Sequence, residues 1–170
     1  MNAIISGGST ANLCAIDLSK AFDKVNHHAL HIKLMKRHIP VKLLILLENL
    51  FSMCHTCVKW QNTWSDFFDI NFGVRQGSVL SPILFAVYLD DLSNLCASCG
   101  SCYVILYADD ILLIAPSVNK LENIIHAWER ELTLLDMMVN FKKSCCLRIG
   151  PRCDAVCGNI VSAAGLVIEW

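Results

Sequence analysis

Two adjacent carboxylates, Asp109 and Asp110, lie between two apolar runs of the sequence. Residues 103–106 precede the acidic pair and residues 111–115 follow it, which predicts a buried hairpin with the acids at its tip. Ionised side chains avoid apolar surroundings unless they are compensated, and a divalent cation compensates them most strongly. The tip is therefore a candidate metal site. A simple polar turn is the alternative, because Asp is a common turn residue.

A third acid, Asp17, ends another short apolar strand, predicted over residues 13–16. If the two predicted strands are neighbours in a sheet, Asp17 lies beside the hairpin tip and three carboxylates converge. Converging carboxylates suit Mg²⁺, which prefers oxygen ligands. Two such ions about 4 Å apart can activate an attacking hydroxyl and stabilise the leaving oxygen. The acids therefore point to nucleotidyl transfer.

A glycine-flanked loop, residues 73–78, contains Arg75 and Gln76 and leads into Ser81-Pro82, which predicts the start of a helix. Such a loop can bring main-chain N–H groups and an amide side chain against a flat or anionic ligand. An ordinary connection between a strand and a helix is the alternative. The acids Asp90 and Asp91 lie at the predicted end of that helix, and we interpret them as solvated.

The rest of the pattern predicts the elements that position these residues. Helices are predicted over residues 27–35, 41–51, 83–92 and 121–135, a hairpin over 57–61 and 67–72 with its turn at 62–65, and strands at 145–149 and 167–168. We predict an α+β fold with an antiparallel sheet and helices on one face, a split βαβ (ferredoxin-like) arrangement. The expected single domain has a loop or cut edge at residues 1–12, the sheet and its helices at 13–150, and a truncated tail at 151–170.

The composition is apolar and nearly neutral. Hydrophobic residues make up 55% of the 170 residues, and 14 basic residues face 15 acidic ones for a net charge of −1. The high apolar content predicts surface that another segment normally covers. Without a global basic field, a complete nucleic-acid-binding protein is disfavoured, but a catalytic piece of one is not. No apolar run approaches the ~20 residues of a membrane span and no signal peptide is recognisable, so we expect an intracellular protein, nuclear or cytoplasmic, that is not secreted.

Cysteine and histidine groups offer a competing metal hypothesis. The chain has ten cysteines, and Cys54-x-x-Cys57 and Cys96-x-x-Cys99-x-x-Cys102 have the spacing of zinc ligands. We favour reduced, buried thiols, because strand-like runs continue from several of them. His27, His28 and His31 lack an acid or thiol at ligand spacing, which favours capping and surface roles.

Four segments resemble motifs of one family. Residues 17–25, 75–82 and 107–110 resemble motifs A, B and C of the reverse transcriptases of non-long-terminal-repeat (LINE-type) retrotransposons, and residues 140–143 resemble motif D. The motifs occur in the family's order and extend over most of residues 13–150. The resemblance implies an RNA-directed DNA polymerase, which is a nucleotidyltransferase. It further implies that the chain is the palm region of the reverse transcriptase, with the fingers and thumb largely missing.

The resemblance also implies roles for individual residues. The catalytic acids would be Asp17, Asp109 and Asp110, and the ligands of two Mg²⁺ ions, or of Mn²⁺ in their place, would be Asp17, Leu18, Asp109 and Asp110. Phe22 would lie under the sugar of the incoming deoxynucleotide. Template base and nucleotide would be contacted by Arg75, Gln76, Gly77 and Ser78. Lys143 would be near the leaving pyrophosphate as a proton donor.

The partners implied are an RNA template, a DNA primer, deoxynucleoside triphosphates and the finger and thumb segments of a parent polyprotein. Because only a short loop precedes Asp17 and the primer grip would follow about where Trp170 stands, we expect little or no polymerase activity from this chain by itself. A non-catalytic retroelement remnant that binds RNA or a protein is the alternative function. A third is another palm-type enzyme, such as a nucleotide cyclase.

Overall fold

The computed structural model describes residues 8–170, apart from the side chains of residues 97 and 98. The elements, in chain order, are β1 (Ala11–Ile16), a 3₁₀ turn (Phe22–Lys24), α1 (His27–Lys36), α2 (Val41–Ser52), β2 (His55–Thr56), β3 (Lys59–Trp60), β4 (Thr63–Trp64), β5 (Phe68–Asp69), α3 (Ser81–Leu89), α4 (Asp91–Ser98), β6 (Tyr103–Tyr107), β7 (Asp110–Ala115), α5 (Val118–Leu134), β8 (Cys145–Ile149), β9 (Ile160–Val161) and β10 (Val167–Ile168). The chain divides into two compact units, residues 22–88 and the remainder.

The unit formed by the two ends of the chain is built on a four-stranded antiparallel sheet in the order β6-β7-β1-β8. β1 lies inside the sheet, and its apolar sequence suits a strand that is paired on both sides. α5 contacts β1 and β7. Its buried stripe, at helical spacing, consists of Leu121, Ile124, Ile125, Trp128 and Leu132. The antiparallel sheet and the accompanying helices agree with the predicted α+β class.

One face of this sheet is exposed to solvent along the edge strand β6. Tyr103 and Ile105 of β6 are 49% and 54% exposed, whereas the alternate residues Val104 and Leu106 are partly buried. Because side chains alternate across a strand, the exposed residues lie on one face of the sheet. The sheet therefore buries one face more completely than the other along β6.

The unit of residues 22–88 contains α1, α2, most of α3 and two short strand pairs, β2 with β5 and β3 with β4. Asn26 caps α1, since its Oδ1 accepts a 3.0 Å hydrogen bond from the N–H of Ala29. α2 is apolar nearly all round, yet Leu44 is its one buried residue. This agrees with the surplus of apolar surface that the composition predicts.

Three local predictions are wrong in detail. The hairpin turn lies at residues 61–62, because Lys59 pairs with Trp64 and Gln61 adopts a left-handed φ of 52° that closes a tight turn. The helix predicted over 83–92 is two helices, α3 and α4, and the second begins where the Ser93 N–H and Oγ both donate to the Asp90 carbonyl. Ala11 and Asn12, predicted as loop, belong to β1.

Residues 1–7 of the predicted N-terminal loop lie outside the described residues. Within the described part of the chain, none of the helices is both long and apolar enough to cross a lipid bilayer.

Candidate active site

The tip of the β6–β7 hairpin presents two of the predicted acids. Tyr107 pairs with Asp110, so the turn consists of Ala108 and Asp109. Ala108 has a φ of 52°, a left-handed conformation that is costly for a residue with a Cβ. Strain of this kind is kept only where the surrounding structure enforces it. Asp109 and Asp110 are both exposed.

The register of the sheet brings the third acid to the same end. Ile16 pairs with Ile111; Asp17 follows the first of these residues and Asp110 precedes the second. In an antiparallel pair, opposed residues have Cα atoms about 5 Å apart. The three acids Asp17, Asp109 and Asp110 therefore lie at one end of the sheet, which we call the acid end.

The backbone of Asp17 is held from the other side by a loop late in the chain. Its N–H donates to Ser144 Oγ at 3.1 Å, and its carbonyl accepts from the N–H of Asn140 at 2.8 Å. Leu18 forms an isolated antiparallel bridge with Val139. These contacts extend the hydrogen bonding of β1 past its last residue and fix the position of Asp17.

The same loop carries Lys143. Its N–H donates to the carbonyl of Asn140 at 3.1 Å, and the Ser144 N–H donates to that carbonyl at 3.0 Å. Ser144 Oγ donates to it as well, at 2.9 Å. One carbonyl thus organises the turn that bears Lys143, and the residue after Lys143 is bonded to Asp17. Ser144 was missed by sequence reasoning, since it is 127 positions from Asp17 and no local pattern marks it.

The acid end has suitable donors for a hard cation. Its carboxylates supply the oxygen ligands that Mg²⁺ prefers, and Asp17 and Asp110 occupy adjoining register positions. Among residues 8–170, no group of three or more His, Cys, Asp or Glu residues is arranged to hold a metal ion. The carboxylates of the acid end therefore match Mg²⁺ in donor type, although they are not arranged as a metal-binding group in the described residues.

A shallow hollow of about 270 Å³ adjoins Asp110. Its walls are mostly apolar and include Ala15, Ile105, Tyr107 and Leu112. Ala15 pairs with Leu112, and Leu112 with Ile105, so these side chains share one face of the sheet. The acid end thus borders an apolar, accessible surface.

The glycine loop, residues 73–78, belongs to the other unit. The N–H of Gly73 donates to the Val25 carbonyl at 2.7 Å, and a Cβ on Gly73 would stand 3.1 Å from backbone atoms of Asp23 and Phe22. With a φ of 88° as well, the position favours glycine, because a larger residue would be both crowded and strained. Further along, Ser81 Oγ donates to the Arg75 carbonyl at 2.6 Å, and Gly77 adopts a φ of 80°.

The predicted nucleotide and template residues of this loop are accessible. Arg75, Gln76 and Gly77 are exposed and Ser78 is partly buried. Gln76 Nε2 donates to Asp23 Oδ1 over a long 3.5 Å contact. Arg75, Gln76 and Ser78 also line a largely apolar cavity of about 680 Å³, together with His27 and Phe51. Its size is that of a small-molecule site. The sequence marked Asp23 only as part of motif A and Phe51 only as the end of a predicted helix, so their position at this cavity was not predicted.

Phe22, the residue predicted to lie under the nucleotide sugar, has a fixed ring. It packs on the fully buried Phe85 with ring centroids 4.9 Å apart and planes tilted by 40°. Phe22 itself is only partly buried. A ring supported on one side and accessible on another can act as a steric wall.

The histidines and cysteines have other contacts. His27 Nε2 lies 2.6 Å from the Gly73 carbonyl, and its ring stacks on Phe51 at 4.3 Å. A hydrogen bond with Cys146, together with burial, raises the pKa of the Cys14 thiol well above its usual range. Burial, assisted by a hydrogen bond with Cys99, raises the pKa of Cys102 to about 12. All ten cysteines are free.

The nucleic-acid polymerases are a class of protein that these features fit: a mixed fold with an antiparallel sheet, acids at one end of that sheet, and an accessible glycine loop. The chain belongs to the reverse transcriptase (RNA-dependent DNA polymerase) family, whose model matches residues 6–154. The family of the resemblance is thereby confirmed.

The curated relatives are transposon proteins. The chain is 28% identical over 142 residues to the retrovirus-related Pol polyprotein from the type-2 retrotransposable element R2DM of Drosophila melanogaster. This alignment covers 79% of the chain and 13% of the relative. It is 32% identical over 116 residues to the RNA-directed DNA polymerase from the mobile element jockey of Drosophila funebris, covering 66% of the chain and 13% of the relative. The chain therefore spans about an eighth of the length of these relatives.

Solved structures of telomerase share the fold. Telomerase from Candida tropicalis, truncated from the C-terminal domain, superposes with a TM-score of 0.68 at 18% identity, covering 89% of this chain and 32% of that one. The same organism's telomerase in complex with a fragment of telomeric RNA gives a TM-score of 0.66 at 16% identity, over 82% of this chain and 26% of that one. The fold is thus that of a reverse transcriptase.

Proposed function

We propose that this chain is the palm of a retrotransposon RNA-directed DNA polymerase and contains its nucleotidyl-transfer centre. The substrates would be an RNA template, a DNA primer and deoxynucleoside triphosphates. The observation that supports this most is the pairing of Ile16 with Ile111, because it brings Asp17 to the end of the sheet where Asp109 and Asp110 lie. The family's name describes the same activity.

The acids would hold the metal ions that the reaction requires. Asp17, Asp109 and Asp110 would contribute carboxylate oxygens, and Leu18, whose side chain is apolar, could contribute only its carbonyl. Two Mg²⁺ ions, or Mn²⁺ in their place, supply activation of the primer hydroxyl and charge stabilisation at the leaving oxygen. The backbone of Asp17 is held by hydrogen bonds at both its N–H and its carbonyl.

The remaining residues would bind and discriminate the nucleotide. The Phe22 ring would exclude a 2′-hydroxyl, since a rigid wall rejects one additional oxygen. Arg75, Gln76, Gly77 and Ser78 would contact the nucleotide and the template base. Lys143 would donate a proton to the departing pyrophosphate. These roles are taken from the resemblance and agree with the accessibility of the glycine loop.

The chain by itself would polymerise poorly. It spans only 13% of the length of the R2DM and jockey relatives, and its net charge of −1 supplies no strong field for binding nucleic acid. The missing contacts with primer, template and triphosphate would come from finger and thumb segments of a longer polyprotein.

The test uses a longer protein in which the chain is extended on both sides by its finger and thumb segments. RNA-templated incorporation of deoxynucleotides onto a DNA primer is compared for the parent protein, Asp109→Ala and Asp154→Ala. Asp154 is an exposed acid outside the acid end, so it controls for the loss of a surface charge. We expect Asp109→Ala to reduce incorporation by at least about a thousandfold, because a metal ligand is lost, and Asp154→Ala to leave it unchanged. Equal incorporation by all three proteins would contradict the proposal.

A non-catalytic binding module is the second candidate, favoured by the exposed apolar surface of α2. Val41 and Leu46 are 68% and 62% exposed, and such residues on one helix are typical of a binding surface. The same assay separates the two functions. An extended protein that binds RNA but incorporates nothing under any metal condition would favour the binding module.

A further inference from the structure

We propose that Ser144 is a positioning residue for the acid end, which it joins to the turn that bears Lys143. This inference rests on the proposed function, since it assigns Ser144 a role only if Asp17 binds a metal ion. It goes beyond that function because Ser144 lies outside both motif A, residues 17–25, and motif D, residues 140–143.

The hydroxyl of Ser144 is buried and fully hydrogen-bonded. Ser144 is 5% exposed, so its hydroxyl has little access to water. Both capacities of the hydroxyl are used: it accepts from the Asp17 N–H at 3.1 Å and donates to the Asn140 carbonyl at 2.9 Å. A buried polar group with both roles satisfied is costly to replace.

The hydrogen bonds of Ser144 close a ring between Asp17 and the 140–144 turn. The N–H of Asn140 donates to the carbonyl of Asp17 at 2.8 Å, so Asp17 is bonded to the 140–144 turn on both sides of its Cα. A side chain whose backbone is restrained on both sides has fewer orientations. Ser144 supplies one of these two restraints, and it is the one that a single side-chain substitution can remove.

Ser144 is also connected to the backbone of Lys143. The carbonyl that accepts from Ser144 Oγ also accepts from the N–H of Lys143 at 3.1 Å. Loss of the hydroxyl therefore affects the turn that carries the proposed proton donor as well as Asp17. Partners behind a metal ligand commonly change metal affinity or activity by about 10- to 100-fold when they are removed.

The experiment measures Mn²⁺ binding to the 170-residue chain by the electron paramagnetic resonance signal of free Mn²⁺. Asp17→Asn establishes the affinity that remains without the acid. Ser144→Ala removes the hydroxyl and Ser144→Thr keeps it. The matched control is Ser162→Ala: Ser162 is 4% exposed, and its Oγ accepts from the N–H groups of Ala164 and Leu166 at 3.2 and 2.9 Å, away from the acid end. Thermal unfolding and circular dichroism verify that each variant is folded.

We expect Ser144→Ala to weaken Mn²⁺ binding by about tenfold, Ser144→Thr to restore most of it, and Ser162→Ala to bind as the parent does despite a comparable loss of thermal stability. If Asp17→Asn weakens binding but Ser144→Ala behaves like Ser162→Ala, the positioning role is wrong and the proposed function stands. A folded Ser144→Thr that binds no better than Ser144→Ala also overturns the role. If Asp17→Asn binds Mn²⁺ as the parent does, both the metal assignment and the role of Ser144 fail.

Discussion

The acid end and the glycine loop differ in how their backbones are held. The acid end lies on paired strands, and Asp17 is bonded to Ser144, 127 positions away. The glycine loop begins with bonds to residues far away in the sequence, since the N–H groups of Gly73 and Val74 donate to the carbonyls of Val25 and Phe22. Further along, the bond from Ser81 Oγ to the Arg75 carbonyl is close in sequence, and Arg75 and Gln76 are exposed. Chemistry that needs fixed geometry benefits from rigid elements, whereas a loop suits ligands that vary in shape.

Each region nevertheless contains one position where backbone conformation is critical. In the acid end it is Ala108, which adopts a left-handed φ in spite of its Cβ. In the glycine loop it is Gly73, where a Cβ would be crowded by backbone atoms 3.1 Å away. The first region tolerates strain because the sheet enforces it, and the second avoids strain by using glycine. Ala108→Gly should therefore raise the free energy of unfolding, and Gly73→Ala should lower it.

The largest effect is expected where α5 supports the sheet. Trp128 is fully buried, and Trp128→Ala should lower the free energy of unfolding by about 3–5 kcal/mol, because the apolar contacts are lost and a cavity remains. Urea unfolding followed by circular dichroism measures this. Trp60→Ala is the control: Trp60 is 76% exposed, so the change should be below about 0.5 kcal/mol. If Trp128→Ala lost as little stability as is expected for Trp60→Ala, the sheet would not depend on this helix.

A smaller loss is expected in the glycine loop. Gly73→Ala should destabilise by about 2–3 kcal/mol, since the new Cβ adds close contacts to the cost of a positive φ. Gly77 also has a positive φ, of 80°, but no atom lies within 4 Å of a Cβ there. Gly77→Ala should therefore cost only about 1 kcal/mol. Chemical denaturation of the two variants distinguishes crowding from strain, and equal losses would remove crowding as the cause.

The smallest effect, with the opposite sign, is expected at the acid end. Ala108→Gly should raise the free energy of unfolding by about 1 kcal/mol, because glycine adopts the observed φ of 52° without strain. Ala86 is an exposed residue inside α3, and Ala86→Gly should instead lower stability by about 1 kcal/mol. Thermal melts of the two variants would move in opposite directions. A loss of stability in Ala108→Gly would mean that the turn conformation is not strained.

Local pattern was sufficient for the elements that carry the acids. β1 and the β6–β7 hairpin are apolar runs interrupted by Asp, and α5 has its buried residues at helical spacing, so the sequence predicts both. The break between α3 and α4 was not predictable, because an apolar run continues through Leu89 and the second helix depends on two hydrogen bonds to the Asp90 carbonyl. The contact between Ser144 and Asp17 was not predictable for a different reason, since no periodicity connects residues that far apart.

The central position of β1 has a consequence for synthesis of the protein. Both of its partners, β7 and β8, follow it late in the chain, so this apolar strand leaves the ribosome long before either partner is available. Unpaired strands of this kind aggregate readily and are typical chaperone substrates. Assembly around Asp17 must await translation of Ser144, and a nascent chain released before that point cannot complete it.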